Sequence, residues 1–300
     1  MNPYYKDYAE YLSERFPGMK VQKISVNAAL GCPNRDGTLG TGGCIYCDNS
    51  SFTPSYCMAG DDVAVQLEKG KEFFARKYPE MKYLAYFQSF TGTYAQSADY
   101  LRTLYGKATA LDDVVGLVIG TRPDTISDEV LDMLSDFNSR LPVMIEIGVE
   151  TSSDRTLKLV NRNHTWNDVI GAVTRLAERK IDVGVHLIAG LPGEAGERTL
   201  QSVKDVCRLP IGSIKLHQLQ IIRDTPLHKA VERGQIEVTP YTLDEYISLC
   251  KRVVSVVPRH IAIERFVASA PPSMVVSPHW GIKNYEFVNM LHSRLAERQI

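Results

Sequence analysis

The chain has 300 residues, 44% of them hydrophobic and 23% charged, and its 34 Lys and Arg balance 35 Asp and Glu to a net charge of −1. That composition excludes a disordered chain, and the balanced charge does not support a general polyanion binder, although a local basic patch fits within it. No apolar run reaches the roughly 18 residues a membrane span needs, and the polar, aromatic opening MNPYYKDYAEYLSERFPG is no signal peptide; a soluble, cytoplasmic protein is expected.

In chain order, runs rich in Val, Ile, Tyr and Phe predict strands at 21–26, 83–90, 114–121, 143–150, 182–189 and 213–222. Amphipathic helices are expected between them at 61–77, 95–110, 127–137, 166–180 and 197–208, with Asp124, Ser153 and Thr165 as N-caps. This alternation argues for a parallel α/β sheet covered by helices. The rhythm changes after residue 222. Helices are expected at 226–234 and 242–257, a strand at 261–267, loop around Ala270-Pro-Pro-Ser-Met and Ser277-Pro-His-Trp, and a last helix at 285–298. The division expected is a core of residues 1–222 and a C-terminal extension, 223–300, packed on the sheet.

Strand phase refines the fold. In 143–150, Val143, Ile145, Ile147 and Val149 share one face, and Met144, Glu146, Gly148 and Glu150 the other. In 182–189, Val183, Val185, Leu187 and Ala189 oppose Asp182, Gly184, His186 and Ile188. A closed eight-stranded barrel fills its interior with bulky apolar side chains. Six strands with acids, His and Gly inside suggest an open barrel around a ligand cavity; an ordinary sheet with a wet face is the alternative.

Of the six cysteines, Cys32, Cys44, Cys47 and Cys57 cluster, while Cys207 and Cys250 lie in helical patterns as small buried residues. Clustered thiols suit metal or redox chemistry. Cys44 and Cys47 form a C-x₂-C pair, and Gly37, Gly40, Gly42 and Gly43 let the chain fold Cys32 back beside it. Three thiolates on a four-iron cluster leave one iron open to a ligand. A closed four-cysteine site using Cys57, a dithiol pair and no metal at all are the alternatives.

The loop resembles the radical SAM superfamily. Cys44-Ile-Tyr46-Cys47 matches the second half of its C-x₃-C-x-aromatic-C motif, while eleven residues rather than three separate Cys32 from Cys44. Long spacing of this kind is similar to that of the Elongator catalytic subunit and of the YhcC/YtqA-type family. The resemblance is strongest to the latter, through Gln88-Ser-Phe-Thr-Gly-Thr-Tyr94, Gly120-Thr-Arg-Pro-Asp124, Gly148-Val-Glu-Thr151, Val160-Asn-Arg-Asn-His-Thr165 and His186-Leu-Ile-Ala-Gly-Leu-Pro-Gly-Glu194, each at or just after a strand end.

The resemblance implies a partial (β/α)6 TIM-like barrel with a C-terminal extension. It implies a [4Fe-4S] cluster on Cys32, Cys44 and Cys47, and S-adenosylmethionine (SAM) bound to the open iron by its amino and carboxylate groups. Reductive cleavage then gives a 5′-deoxyadenosyl radical. Tyr46 takes the motif's aromatic position. Thr91, Gly92 and Thr93 stand where the family holds the SAM amino group. Glu150 is expected at the ribose, Arg162 at the carboxylate, and Gly190 at the adenine. His186 stands where some relatives carry an acid near the ribose; a satisfied interior histidine is its alternative. The relatives imply a tRNA substrate modified at wobble uridine, with a flavodoxin- or ferredoxin-type electron donor. Arg259, His260, Arg265, His279, Trp280, Lys283 and Asn284 are a candidate basic, aromatic patch. A radical enzyme acting on a small molecule and a non-catalytic zinc or cluster module are the rival readings.

Overall fold

The computed structural model describes residues 2–75, 80–268 and 270–297. Its centre is an eight-stranded parallel sheet built from β1 (Lys6–Asp7), β2 (Val21–Val26), β3 (Lys82–Phe87), β4 (Val114–Thr121), β5 (Val143–Glu150), β6 (Asp182–Ala189), β7 (Ser213–Gln218) and β9 (Ala262–Arg265). The spatial order is β1-β9-β7-β6-β5-β4-β3-β2. Two short strands, β8 (Ile221–Ile222) and β10 (Val275–Ser277), pair separately.

Helices cover the outer face: α2 (Val63–Ala75), α3 (Ala98–Thr109), α4 (Asp128–Asn138), α5 (Asp154–Leu159), α6 (Trp166–Glu178) and α7 (Gly196–Val206). Helix α6 shows why. Val169, Ala172, Val173 and Leu176 recur at helical spacing, all buried, and the Thr165–Asp168 capping box closes its first turn. They pack on Ile145, Ile147, Val149, Val183 and Val185 of the sheet. Each such side chain removed from water contributes about 1.5–3 kcal/mol before chain entropy is set against it.

The inner face is layered. At the bottom, α1 (Tyr8–Arg15) places Tyr8, Tyr11 and Leu12 against Leu84 of β3, Val118 of β4, Met144 of β5 and Ala262 of β9. One short helix reaches strands so far apart in order because the sheet curls around it. Above this plug lies a belt of charge. Lys23 of β2 bonds both Glu146 of β5 and, at 3.0 Å, Glu264 of β9. Lys215 of β7 reaches Glu146 at 2.8 Å and Glu264 at 3.0 Å. The Lys23–Glu264 pair joins the edge strand β2 to β9, the second strand from the other edge, so the sheet curls into an open half-barrel.

The C-terminal part adds α8 (Pro226–Glu232), α9 (Leu243–Val256) and α10 (Asn284–Ala296). Tyr246, Trp280 and Phe287 form its aromatic core. Its strand β9 hydrogen-bonds into the main sheet.

Several boundaries differ from expectation. The third strand stops at Phe87, because Phe90 adopts φ +60°. The run 213–222 divides into β7 and β8, since β8 leaves the main sheet to pair with β10. Asp124 caps no helix: it sits in a 3-10 turn, and Ser127 caps α4. Ser153 and Thr165 cap α5 and α6 as expected. The expected helix ends at Lys77 and Arg298 lie outside the described residues. Among the described residues no helix is long and apolar enough to cross a membrane.

Candidate active site

The upper layer of the half-barrel is a cavity of about 350 Å³ at the C-terminal ends of the strands, where parallel α/β folds place their ligands. Cys32, Cys44, Tyr46, Cys47, Thr91, Glu150, Arg162 and His186 all line it.

The cysteine loop between β2 and α2 is a compact hairpin. Gly37, Gly42 and Gly43 take φ of +96°, +77° and +80°, conformations an L side chain resists. A methyl group on Gly40 would stand 2.7 Å from Asn34 Oδ1 and 2.5 Å from Asn163 Nδ2. Asn34 is fully buried and fastens the hairpin to the loop between α5 and α6. Its Nδ2 donates to the Asn161 carbonyl, and its Oδ1 accepts from Asn163 Nδ2 at 2.6 Å. Asn161 Nδ2 returns a bond to the Gly43 carbonyl at 2.8 Å. Asn161 and Asn163 both sit at positive φ, which asparagine tolerates, and between them Arg162 turns into the cavity.

The sulfurs attract N–H groups. Asn34 Nδ2 lies 3.7 Å and Arg162 Nη1 3.6 Å from Cys44 Sγ, and Asn49 Nδ2 lies 3.6 Å from Cys47 Sγ. Burial and the neighbouring Cys44 push the Cys47 thiol up to about 11, against the pull of Arg35. Cys47 is therefore held as a thiol, and a metal bound through its sulfur would have to displace that proton. Among the described residues no three metal-binding side chains converge on a single ion; a four-iron cube needs its thiolates farther apart than one ion does. Cys57 is engaged elsewhere. Its thiol donates to the Ser25 carbonyl at 2.9 Å, and burial raises it to about 12. It does not line the cavity.

Arg162 Nη2 donates to the Gly148 carbonyl at 2.6 Å and pairs with Glu150 at 3.3 Å. Burial opposes its charge, but Cys44, Tyr46 and Glu150 outweigh that and raise its pKa well above the ordinary value. Glu150 has φ +65° at a break in the β5–β6 register, a strained strand end of the kind found at functional sites. His186 sits 3.1 Å from Glu146. Tyr46 stays protonated because burial, Cys44 and Glu150 all oppose its anion. Five buried polar atoms of described wall residues have no hydrogen-bond partner in the protein: Tyr46 Oη, Thr91 Oγ1, Arg122 Nη1, Arg162 Nε and His217 Nε2. Free thiols beside unpartnered donors fit an anionic cluster and a polar cofactor.

Three expected contact residues lie off this wall. Gly92 is pressed between strand ends, where an added methyl would meet the Gly120 carbonyl at 2.8 Å. Thr93 turns its hydroxyl to Thr121 and Thr125 at 2.6 and 2.8 Å. Gly190, at φ +85°, backs onto the Tyr241 ring. The candidate C-terminal patch is also drawn apart. Arg259 bonds the Asn2 carbonyl, the Trp280 indole donates to the Tyr241 carbonyl, Asn284 accepts from the Phe266 amide, and Arg265 lines the cavity.

Sequence reasoning passed over Asn34 and Asn49, whose contacts with sulfur have no local signature. Arg122 enters the sequence analysis only within the motif Gly120-Thr-Arg-Pro-Asp124, with no role of its own. Arg122 is almost fully buried on the cavity wall, bidentate to Asp124 at 2.9 and 2.6 Å, and bonded to the Arg162 carbonyl at 2.9 Å. It holds the Arg162 turn in place.

Comparison with known proteins agrees with this geometry. The Radical SAM superfamily model matches residues 27–206, and the Radical_SAM C-terminal domain model matches residues 211–297. The chain belongs to the radical SAM superfamily and is an enzyme of that type, a class that implies a cluster and SAM. Within it, the chain is 34% identical over 288 residues to the protein YtqA of Bacillus subtilis, covering 96% of this chain and 88% of that one. It is 25% identical over 193 residues to a tRNA uridine(34) acetyltransferase of Methanocaldococcus infernus, covering 63% of this chain and 35% of that one. The fold resembles the archaeal Methanocaldococcus infernus Elp3 with a TM-score of 0.70 at 18% identity, covering 94% of this chain and 64% of that structure.

Proposed function

We propose that Cys32, Cys44 and Cys47 hold a [4Fe-4S] cluster at the cavity rim, that SAM lies along the wall beside it, and that the enzyme modifies the C5 side chain of wobble uridine in tRNA. The observation that carries the cofactor reading is the meeting of three free thiols from one loop with the unpartnered atoms of Tyr46, Thr91 and Arg162 in one cavity.

When bound, the cluster and SAM supply one-electron cleavage of a sulfonium carbon–sulfur bond, giving a radical that abstracts hydrogen or adds to carbon. The protein's part is placement and exclusion. Asn34, Asn49 and Arg162 offer N–H groups to the thiolate sulfurs and stabilise their charge. Arg162, oriented by Glu150 and the Gly148 carbonyl, presents its guanidinium to a carboxylate. Glu150 accepts ribose hydroxyls, and Thr91 Oγ1 accepts from an ammonium group. Gly92, Thr93 and Gly190 shape the surrounding turns. His186, tied to Glu146, stands at the cavity floor. The plug of α1 closes that floor to water.

The tRNA reading is supported by the activity named for the acetyltransferase relative. A flavodoxin- or ferredoxin-type protein is the proposed electron source. Mass spectrometry of tRNA nucleosides from cells with and without the gene tests the substrate. A wobble-uridine precursor that accumulates without the gene supports it; an unchanged profile across growth conditions overturns it.

A further inference from the structure

Two large, partly exposed apolar rings line the cavity: Phe52 is 40% and Phe90 38% exposed. Single exposed hydrophobic residues need no explanation, but this pair is built. Phe90 is held at φ +60°, a conformation unfavourable for a bulky L residue. Its N–H is clamped by Asn49 Oδ1 at 2.7 Å, while Asn49 Nδ2 contacts Cys47 Sγ and the Asn49 carbonyl accepts from the Phe52 amide at 3.4 Å. One asparagine thus ties the backbone of both residues to the cysteine loop. The guanidinium of Arg35 stands 5.9 Å from the Phe90 ring centre, anchored by Nη2 to the Cys47 carbonyl at 2.9 Å. A strained aromatic, a second aromatic and a cation on the wall of a radical site have the chemistry of a stacking platform for a planar base with a phosphate nearby.

We propose that Phe90 and Phe52 form a platform on which an unpaired RNA base stacks, with Arg35 facing its backbone phosphate, so that the nucleotide to be modified is presented beside Cys47. This deepens the tRNA reading and rests on it.

Phe90→Gly is the informative variant, because glycine suits this backbone and removes the ring while easing strain. The probe is an anticodon-type RNA hairpin carrying 2-aminopurine in place of the wobble uridine, whose fluorescence falls on stacking. The wild-type protein should bind and quench it. Phe90→Gly should bind roughly tenfold or more weakly and lose the quench, with its thermal midpoint unchanged or raised. Phe90→Tyr should keep both signals. If Phe90→Gly binds and quenches as the wild type does, the platform is overturned and the tRNA reading stands. If the wild type does not bind the hairpin at all, the tRNA reading falls and the platform falls with it.

Discussion

Glu146→Gln tests the belt of charge across the half-barrel. Glu146 accepts bonds from Lys23, Lys215 at 2.8 Å and Tyr86 at 2.5 Å, with His186 at 3.1 Å, and it is 4% exposed. Two lysines, Lys23 and Lys215, face two glutamates, Glu146 and Glu264, so the belt is neutral. The substitution keeps the volume but leaves a buried charge of about +1. Breaking such a pair from one side costs about 3–5 kcal/mol, a large part of the 5–15 kcal/mol typical of a folded domain. Urea unfolding at pH 7, followed by circular dichroism, should show a loss of that size. Glu146→Gln combined with Lys215→Met restores neutrality and should recover most of it. The pH dependence has a definite sign. Burial alone would raise the Glu146 pKa, but Lys215, Lys23 and the His186 bond together hold it well below the usual 4.5. Its contribution is therefore present above about pH 4.5 and lost as pH falls through the lower folded value. The gap between wild type and Glu146→Gln should close in acid. A loss under about 1 kcal/mol at pH 7, or strictly additive single and double variants, would refute the account of the belt.

Three further outcomes are expected. After anaerobic reconstitution, alanine at Cys32, Cys44 or Cys47 should abolish bound iron and sulfide, whereas Cys57→Ala should retain both, because that thiol serves the Ser25 carbonyl. Gly148→Ala would place a methyl 2.4 Å from Arg162 Nη2 and 2.7 Å from Glu150 Oε1; calorimetry on the reconstituted protein should show SAM binding weakened roughly tenfold, the loss of one charge-assisted bond, with the fold intact. Gly70→Ala would drive a methyl to 2.2 Å from Ile24 Cγ2, between α2 and β2. This overpacking should lower stability by about 1–3 kcal/mol in urea unfolding.

The sheet was legible because its strands carry period-two phase. Ile145, Ile147 and Val149 face the helices while Glu146, Gly148 and Glu150 line the interior, as their alternation requires. The cysteine loop was legible from spacing and glycine. Other features depend on contacts no local window contains. Helix α1 is only 8 residues long, and its Tyr11 is buried by strands that follow far along the chain. Asn34 and Asn161 meet across more than a hundred residues. Gly92, Thr93 and Gly190 lie off the cavity wall while Thr91 lies on it, a division within one motif that depends on how each residue packs on its neighbours and that spacing alone does not carry.

The tyrosine-rich plug at the foot of the half-barrel also governs traffic. A vessel stoppered below admits and discharges its contents through the same upper opening, so guest molecules must queue. Of two molecules sharing such a vessel, the one seated farther from the mouth would enter first and leave last. An ordered pattern of addition and release is therefore the kinetic behaviour expected of a cavity closed at its foot.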